Sequence, residues 1–224
     1  MYVTVASIKK KIVTIILVGM NVIVFLVVNV FLFNKTGIYW LHNLSQQNYL
    51  ILEFGQYWRL ISSMFIHADV FHLLSNMFFL GIFGLLVENK YSVIQYLAIY
   101  FISGLFGNLI SLFVLPSNVF SLGASGCIFG VLGAYYVSFT AYDKRMIVYA
   151  IVSSLIMVGL SVGVEINSWA HLFGALGGLL FGWIFTRYNT KKDQNRFYVQ
   201  RRKKKDSKDV DADYEDEFED IDDY

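Results

Sequence analysis

Cysteine occurs once in the 224 residues, as Cys127, and charge is scarce, at 16% of the chain against about 25% in a soluble domain. A single thiol excludes an internal disulfide and any cysteine-based metal centre, and it leaves the redox compartment open. The shortage of charge excludes more. Ten of the 18 Lys and Arg and twelve of the 17 Asp and Glu lie from Arg187 onward, so the first 186 residues hold eight basic and five acidic side chains. With 56% hydrophobic residues overall, that body is too apolar for water. The net charge of +1 averages an almost uncharged body with a dense tail of mixed sign, and says little about partners.

What fills the body is a series of long apolar runs. Ile12–Phe33 would reach about 33 Å as a helix, enough to cross a bilayer core. It follows Lys9, Lys10 and Lys11 but lacks a small-residue cleavage site, and further runs follow, so a retained helix is expected rather than a signal peptide. The other runs are Phe71–Val87, Val93–Leu115, Gly123–Thr140, Met146–Val164 and Trp169–Phe185. Between the first and second lies an aromatic- and amide-rich stretch, Asn34–Val70, which suits an interfacial loop with short helices. The fold class expected is therefore an all-α membrane protein, a compact bundle of six transmembrane helices. Its organisation would be a short cytoplasmic segment over 1–11, a membrane domain over 12–188 and a charged, disordered cytoplasmic tail over 189–224. Both termini then share one side. That side collects sixteen basic residues against two, Lys35 and Arg59, on the other, the bias expected of a cytoplasmic face. The tail runs from a basic block, Arg201–Lys205, to an acidic one, and the basic block is placed to touch anionic membrane lipids. No nucleic acid is expected as a partner, since no aromatic platform accompanies the charge and the acidic block repels phosphate.

Four polar features interrupt the runs: His72 with Asn76, Ser125 within Gly123-Ala124-Ser125-Gly126, and His171. Polar groups at membrane depth are candidates for function. A serine hydroxyl needs a neighbouring base to become a nucleophile, and His171 supplies one at a matching depth on the last helix. No third carboxylate accompanies them, so a catalytic dyad is expected. Phe129, one turn beyond Ser125, can pack on the imidazole. Gly174 and Gly178 share a face with His171, while Gly126 and Gly130 form a Gly-x-x-x-Gly strip, so the two helices can approach closely. His72 and Asn76, four apart, can both donate to an oxyanion, with the Ser125 N–H as a further donor.

The motif Gly123-Ala124-Ser125-Gly126 resembles the nucleophile motif of the rhomboid family of intramembrane serine proteases. His171-x-x-Gly174-x-x-x-Gly178 resembles that family's final-helix motif, and Trp58-Arg59 through His72-x-x-x-Asn76 its first outward loop entering the second helix. His67 in Phe65-Ile66-His67 and Glu88 fit the same pattern, and the likeness covers about residues 57–185. The resemblance implies Ser125 as nucleophile, His171 as base, His72 and Asn76 as the oxyanion-stabilising pair, and Trp58 and Arg59 as anchors of the loop at the membrane surface. It implies cleavage of single-span transmembrane proteins near the outer face, with no metal and no cofactor, by a compact bacterial-type enzyme of the cell membrane. Where the family often carries a tyrosine after the nucleophile, this chain has Phe129. His42 is read as an exposed loop residue, His67 as structural and Cys127 as a packing residue. Two other readings compete: a noncatalytic rhomboid-like protein that binds membrane helices, and a transporter, which the lack of inverted halves and of interior acidic residues disfavours.

Overall fold

The computed structural model describes residues 12–31, 35–139, 143–159 and 167–219. Nine α-helices follow one another among them. They are α1 (Ile12–Phe25), α2 (Lys35–Leu44), α3 (Asn48–Phe54), α4 (Arg59–Ser62), α5 (Val70–Val87), α6 (Val93–Val114), α7 (Ser125–Val137), α8 (Met146–Gly159) and α9 (Ser168–Glu219). A π-helical turn, Leu26–Phe31, ends α1, and a 3₁₀ turn, Ser63–Phe65, follows α4. The only strands among these residues are Gln46–Gln47 and Phe120–Ser121, an antiparallel pair in the register Gln46 to Ser121.

The molecule is an all-α membrane protein. Four stretches are long and apolar enough to cross a bilayer: Ile12–Asn29, Val70–Val87, Val93–Val114 and Ser168–Lys192. Where six spans are expected, the fourth and fifth positions hold shorter apolar helices, Ser125–Val137 and Met146–Met157. With 13 residues, α7 is about 20 Å long, short of the roughly 30 Å hydrocarbon core. Its start is set by Gly123, whose φ of +118° breaks the preceding backbone two residues before Ser125. The expected end of the fifth run, 160–164, lies outside the described residues.

Residues up to Ile184 form one compact unit, and Phe185–Tyr224 a second. The second is helical through Glu219, where composition alone predicts an unstructured tail. No Gly or Pro follows Gly182, so no residue in the tail breaks a helix, and its Lys, Arg, Glu and Gln are good helix formers.

Within the first unit, apolar side chains point outward as well as inward. On α1, Val13, Leu17 and Phe25 are buried, while Ile15, Ile16 and Ile23 are exposed, the pattern of a helix with one face on protein and the other on lipid. The buried carboxylate of Glu88, just past α5, accepts from the Val13 and Thr14 amides at 2.8 and 3.2 Å and from Thr14 Oγ1 at 2.6 Å. A carboxylate on the first amides of α1 satisfies donors that the helix cannot, and its charge suits the positive end of the helix dipole. At the other end of α5, Asp69 caps the helix by accepting from His72 N at 2.9 Å.

The loop between α1 and α5 is held by an apolar cluster, Ile51 and Leu60 with Leu112 of α6, and by polar side chains. Arg59, 1% exposed, donates from Nη1 to the carbonyls of His42 and Ser45 at 2.7 and 2.8 Å and from Nε to Gln56 Oε1 at 2.7 Å. Asn48 Nδ2 donates to Ser111 O and Leu115 O, and Asn108 Nδ2 to Leu60 O, which tie the loop to α6. Arg59 is thus buried within the loop, whereas Trp58 is 56% exposed.

Candidate active site

Ser125 is the first residue of α7, where the helix leaves its opening amides without intrahelical acceptors. His171 lies in the first turn of α9. Asn167 caps that helix: its Oδ1 accepts from Ala170 N at 2.9 Å and from Ser111 Oγ at 3.1 Å, and its Nδ2 donates to Ser121 Oγ at 2.9 Å. One side chain therefore fixes the start of α9 to α6 and to the strand that leads into Ser125. An Asn just before an apolar helical run is the signal by which the sequence could have marked it.

Glycines bring α7 and α9 together. A Cβ at Gly178 would overlap the Gly130 carbonyl oxygen, and one at Gly174 would overlap that of Gly126, so the two strips named from the sequence face each other. This contact places His171 Nε2 2.8 Å from Ser125 Oγ, a hydrogen bond. The imidazole stacks on Phe129, with centroids 4.4 Å apart and planes at 22°. His171 Nδ1 is buried with no hydrogen-bond partner among the described residues. Packing thus orients the ring where a soluble triad would use a carboxylate.

His72 enters from α5. A Cβ at Gly123 would lie 2.8 Å from His72 Nε2 and 3.9 Å from Ser125 Oγ, so these two atoms flank one point beside the Gly123 turn. Met64, His72, Gly123, Ser125, Asn167 and His171 are among the residues around a small cavity there, with about 30 Å³ open to the centres of water molecules. That is room for a water beside the serine. Asn76 is placed differently. It is 2% exposed, its Nδ2 donates to His72 O at 2.8 Å, and it is not among the residues that line this cavity. Its second N–H is the one that remains for an oxyanion.

On the other side of His171 is an apolar groove of about 330 Å³ between α7, α8 and α9, with Phe129, Ile151, Leu155 and Leu172 in its wall. The imidazole thus separates a polar, water-sized space from an apolar one. Trp58 and Arg59 are not among the residues that line the small cavity, whereas Cys127 is. Cys127 is buried beside Gly104, where a Cβ would overlap its sulfur, which makes it a packing residue. No three His, Cys, Asp or Glu side chains gather as a metal site among the described residues.

A helical, multi-pass membrane protein with a serine and a histidine in contact at the meeting of two glycine-lined helices defines a class, and comparison with known proteins gives it a family. The model of the Rhomboid domain matches residues 54–188, more than half of the chain, and the chain belongs to the rhomboid family. It is 35% identical over 142 residues to RHOMBOID-like protein 7 of Arabidopsis thaliana, covering 60% of this chain and 44% of that protein. It is 32% identical over 158 residues to Rhomboid-like protein 11, chloroplastic, of the same plant, covering 62% and 56%. Rhomboid-like protease 1 of Toxoplasma gondii is 30% identical over 147 residues, covering 61% and 50%. The chain spans about half the length of the curated relatives it matches. The family includes intramembrane serine proteases and also members without catalytic activity.

Proposed function

We propose that this chain is an intramembrane serine endopeptidase that cleaves single-span transmembrane proteins near the outer membrane face through a dyad of Ser125 and His171. The observation that carries the reading is the 2.8 Å contact between His171 Nε2 and Ser125 Oγ, with the ring stacked on Phe129. A noncatalytic helix binder has no use for a hydroxyl paired with a base.

In the proposed reaction Ser125 Oγ attacks the scissile carbonyl carbon and His171 Nε2 takes its proton, giving a tetrahedral oxyanion. His72, the second N–H of Asn76 and the Ser125 backbone N–H donate to that oxygen. Collapse breaks the C–N bond as His171 returns the proton to the departing amine. Water from the polar cavity then attacks the acyl-enzyme, with His171 as base. The apolar groove beside His171 suits the unwound flank of a membrane helix, and the outer aromatic loop suits its polar end.

The orientation follows from charge: both termini cytoplasmic in a cell membrane, with the basic part of the tail near anionic lipid. The similar proteins come from Arabidopsis thaliana and Toxoplasma gondii, so similarity gives no support to a bacterial source. The test is reconstitution of wild type, S125A and H171A in lipid with a panel of labelled single-span substrates. Site-specific cleavage by wild type alone is expected. Equal cleavage by S125A overturns the dyad, and binding of substrate helices without cleavage by wild type turns the reading to a helix-binding protein.

A further inference from the structure

The first membrane helix lies outside the residues matched to the family, yet one of its side chains reaches the turn that leads into the site. Asn29 stands in the π-helical turn Leu26–Phe31, a geometry that concentrates at functional positions. Its Nδ2 donates to His67 O at 3.0 Å and to Ala68 O at 3.2 Å. Both partners are acceptors, so the nitrogen end of the amide is fixed and its two N–H groups are both engaged. The next residue, Asp69, is held by its cap on His72 N. The backbone entering α5 is therefore pinned at 67 and 68 by α1 and at 69 by α5 itself.

What that backbone carries is the ring of His67, fully buried and edge-on to His72, with centroids 5.0 Å apart and planes at 70°. Both ring nitrogens of His67 and Nδ1 of His72 are buried with no hydrogen-bond partner among the described residues. Beyond His72 Nε2 lies Gly123, whose own N–H donates to Ser63 O at 2.9 Å. The His72 ring is thus placed by packing, with His67 against its face or edge and the Gly123 turn beyond its outer nitrogen. A ring placed this way follows the backbone of its neighbours. Regarding Gly123, that backbone is fixed from within the family-matched segment; regarding His67, it is fixed by Asn29.

We infer that Asn29 is a positioning residue of the active site: its amide holds the His67–Ala68 backbone, so that the His67 ring keeps His72 aimed at the oxyanion. The inference rests on the proposed role of His72, and it makes α1 part of the catalytic apparatus rather than a separate anchor.

The experiment is a double-mutant cycle in lipid vesicles with a cleavable single-span substrate: wild type, N29D, H72A and N29D/H72A, with S125A as the blank. N29D keeps the shape of the side chain and replaces its donors by acceptors that repel the two carbonyls. Active sites are counted by fluorophosphonate titration, so that lost folding is separated from lost rate. The expected result is a fall in kcat per titrated site of about ten-fold or more in N29D, with KM within about two-fold, since small misplacements are costly in rate. In the H72A background N29D is expected to have no further effect, because the two act through one group. An unchanged kcat per site, or effects that multiply in the double variant, overturns the inference and leaves the dyad standing. Wild type no better than the S125A blank overturns the protease reading itself. If N29D gives no folded protein, N29S, which keeps one donor, takes its place with the same criteria.

Discussion

The imidazole of His171 lies flat over Phe129 while its Nε2 meets Ser125 Oγ, so one aromatic contact fixes the direction of one hydrogen bond. With no hydrogen-bond partner for Nδ1 among the described residues, the stack is what stops the ring from turning. F129L keeps most of the buried volume and removes the flat surface. It is expected to lower kcat by about ten-fold, a consequence of a misdirected base, with a melting temperature close to wild type. F129A is expected to lower both, since truncating a buried Phe costs about 3–5 kcal/mol. Kinetics and thermal melts on the same preparations check this.

Gly178 has no room for even one carbon, because a Cβ there would overlap the Gly130 carbonyl. G178A is expected to separate α7 from α9 and to reduce cleavage by about 100-fold, the cost of roughly 1 Å of displacement. The helices themselves remain apolar and continuous, so circular dichroism is expected to keep its helical signal. Full activity in G178A would mean that the close approach does not set the dyad.

Arg59 shows how the loop between α1 and α5 is built. Its guanidinium reaches two backbone carbonyls and the Gln56 side chain from a buried position, a forked geometry that a lysine cannot reproduce. R59K is therefore expected to destabilise the protein by about 1.5–3 kcal/mol per charged hydrogen bond lost, close to R59A. If Arg59 instead acted only as a headgroup anchor, R59K would melt like wild type.

His67 makes an acid-sensitive point. Burial, with His72 beside it, lowers its pKa from 6.5 to about 3. The unfolded chain then takes up the proton first as pH falls. The stability contributed by the neutral ring is complete above pH 6.5 and is lost progressively toward pH 3, with a slope of up to about 1.4 kcal/mol per pH unit. Thermal melts from pH 7 to pH 4 are expected to show a steeper fall for wild type than for H67N, and parallel curves would contradict the account.

Much of this arrangement is legible in the chain because it repeats at short range. Apolar runs mark α1, α5, α6 and α9, and the i, i+3, i+7 spacing of His171, Gly174 and Gly178 shows which face of α9 can meet another helix. Arg59 turned into the loop and Asn29 reaching the 67–68 turn were not legible. Each depends on which carbonyl a long or amide side chain finds, and those lie 14 to 39 residues away. In the tail, composition reports only the missing apolar face, while the absence of Gly and Pro leaves the backbone free to be helical, as it is through Glu219.

The reactivity of one hydroxyl tests the central claim most directly. A fluorophosphonate applied to folded protein in lipid, followed by tandem mass spectrometry, is expected to place a single adduct on Ser125 in wild type, with labelling lost in S125A and slowed by orders of magnitude in H171A. An adduct on Ser125 that forms equally fast in H171A, or no adduct on folded wild type, would contradict the pairing of these residues as nucleophile and base.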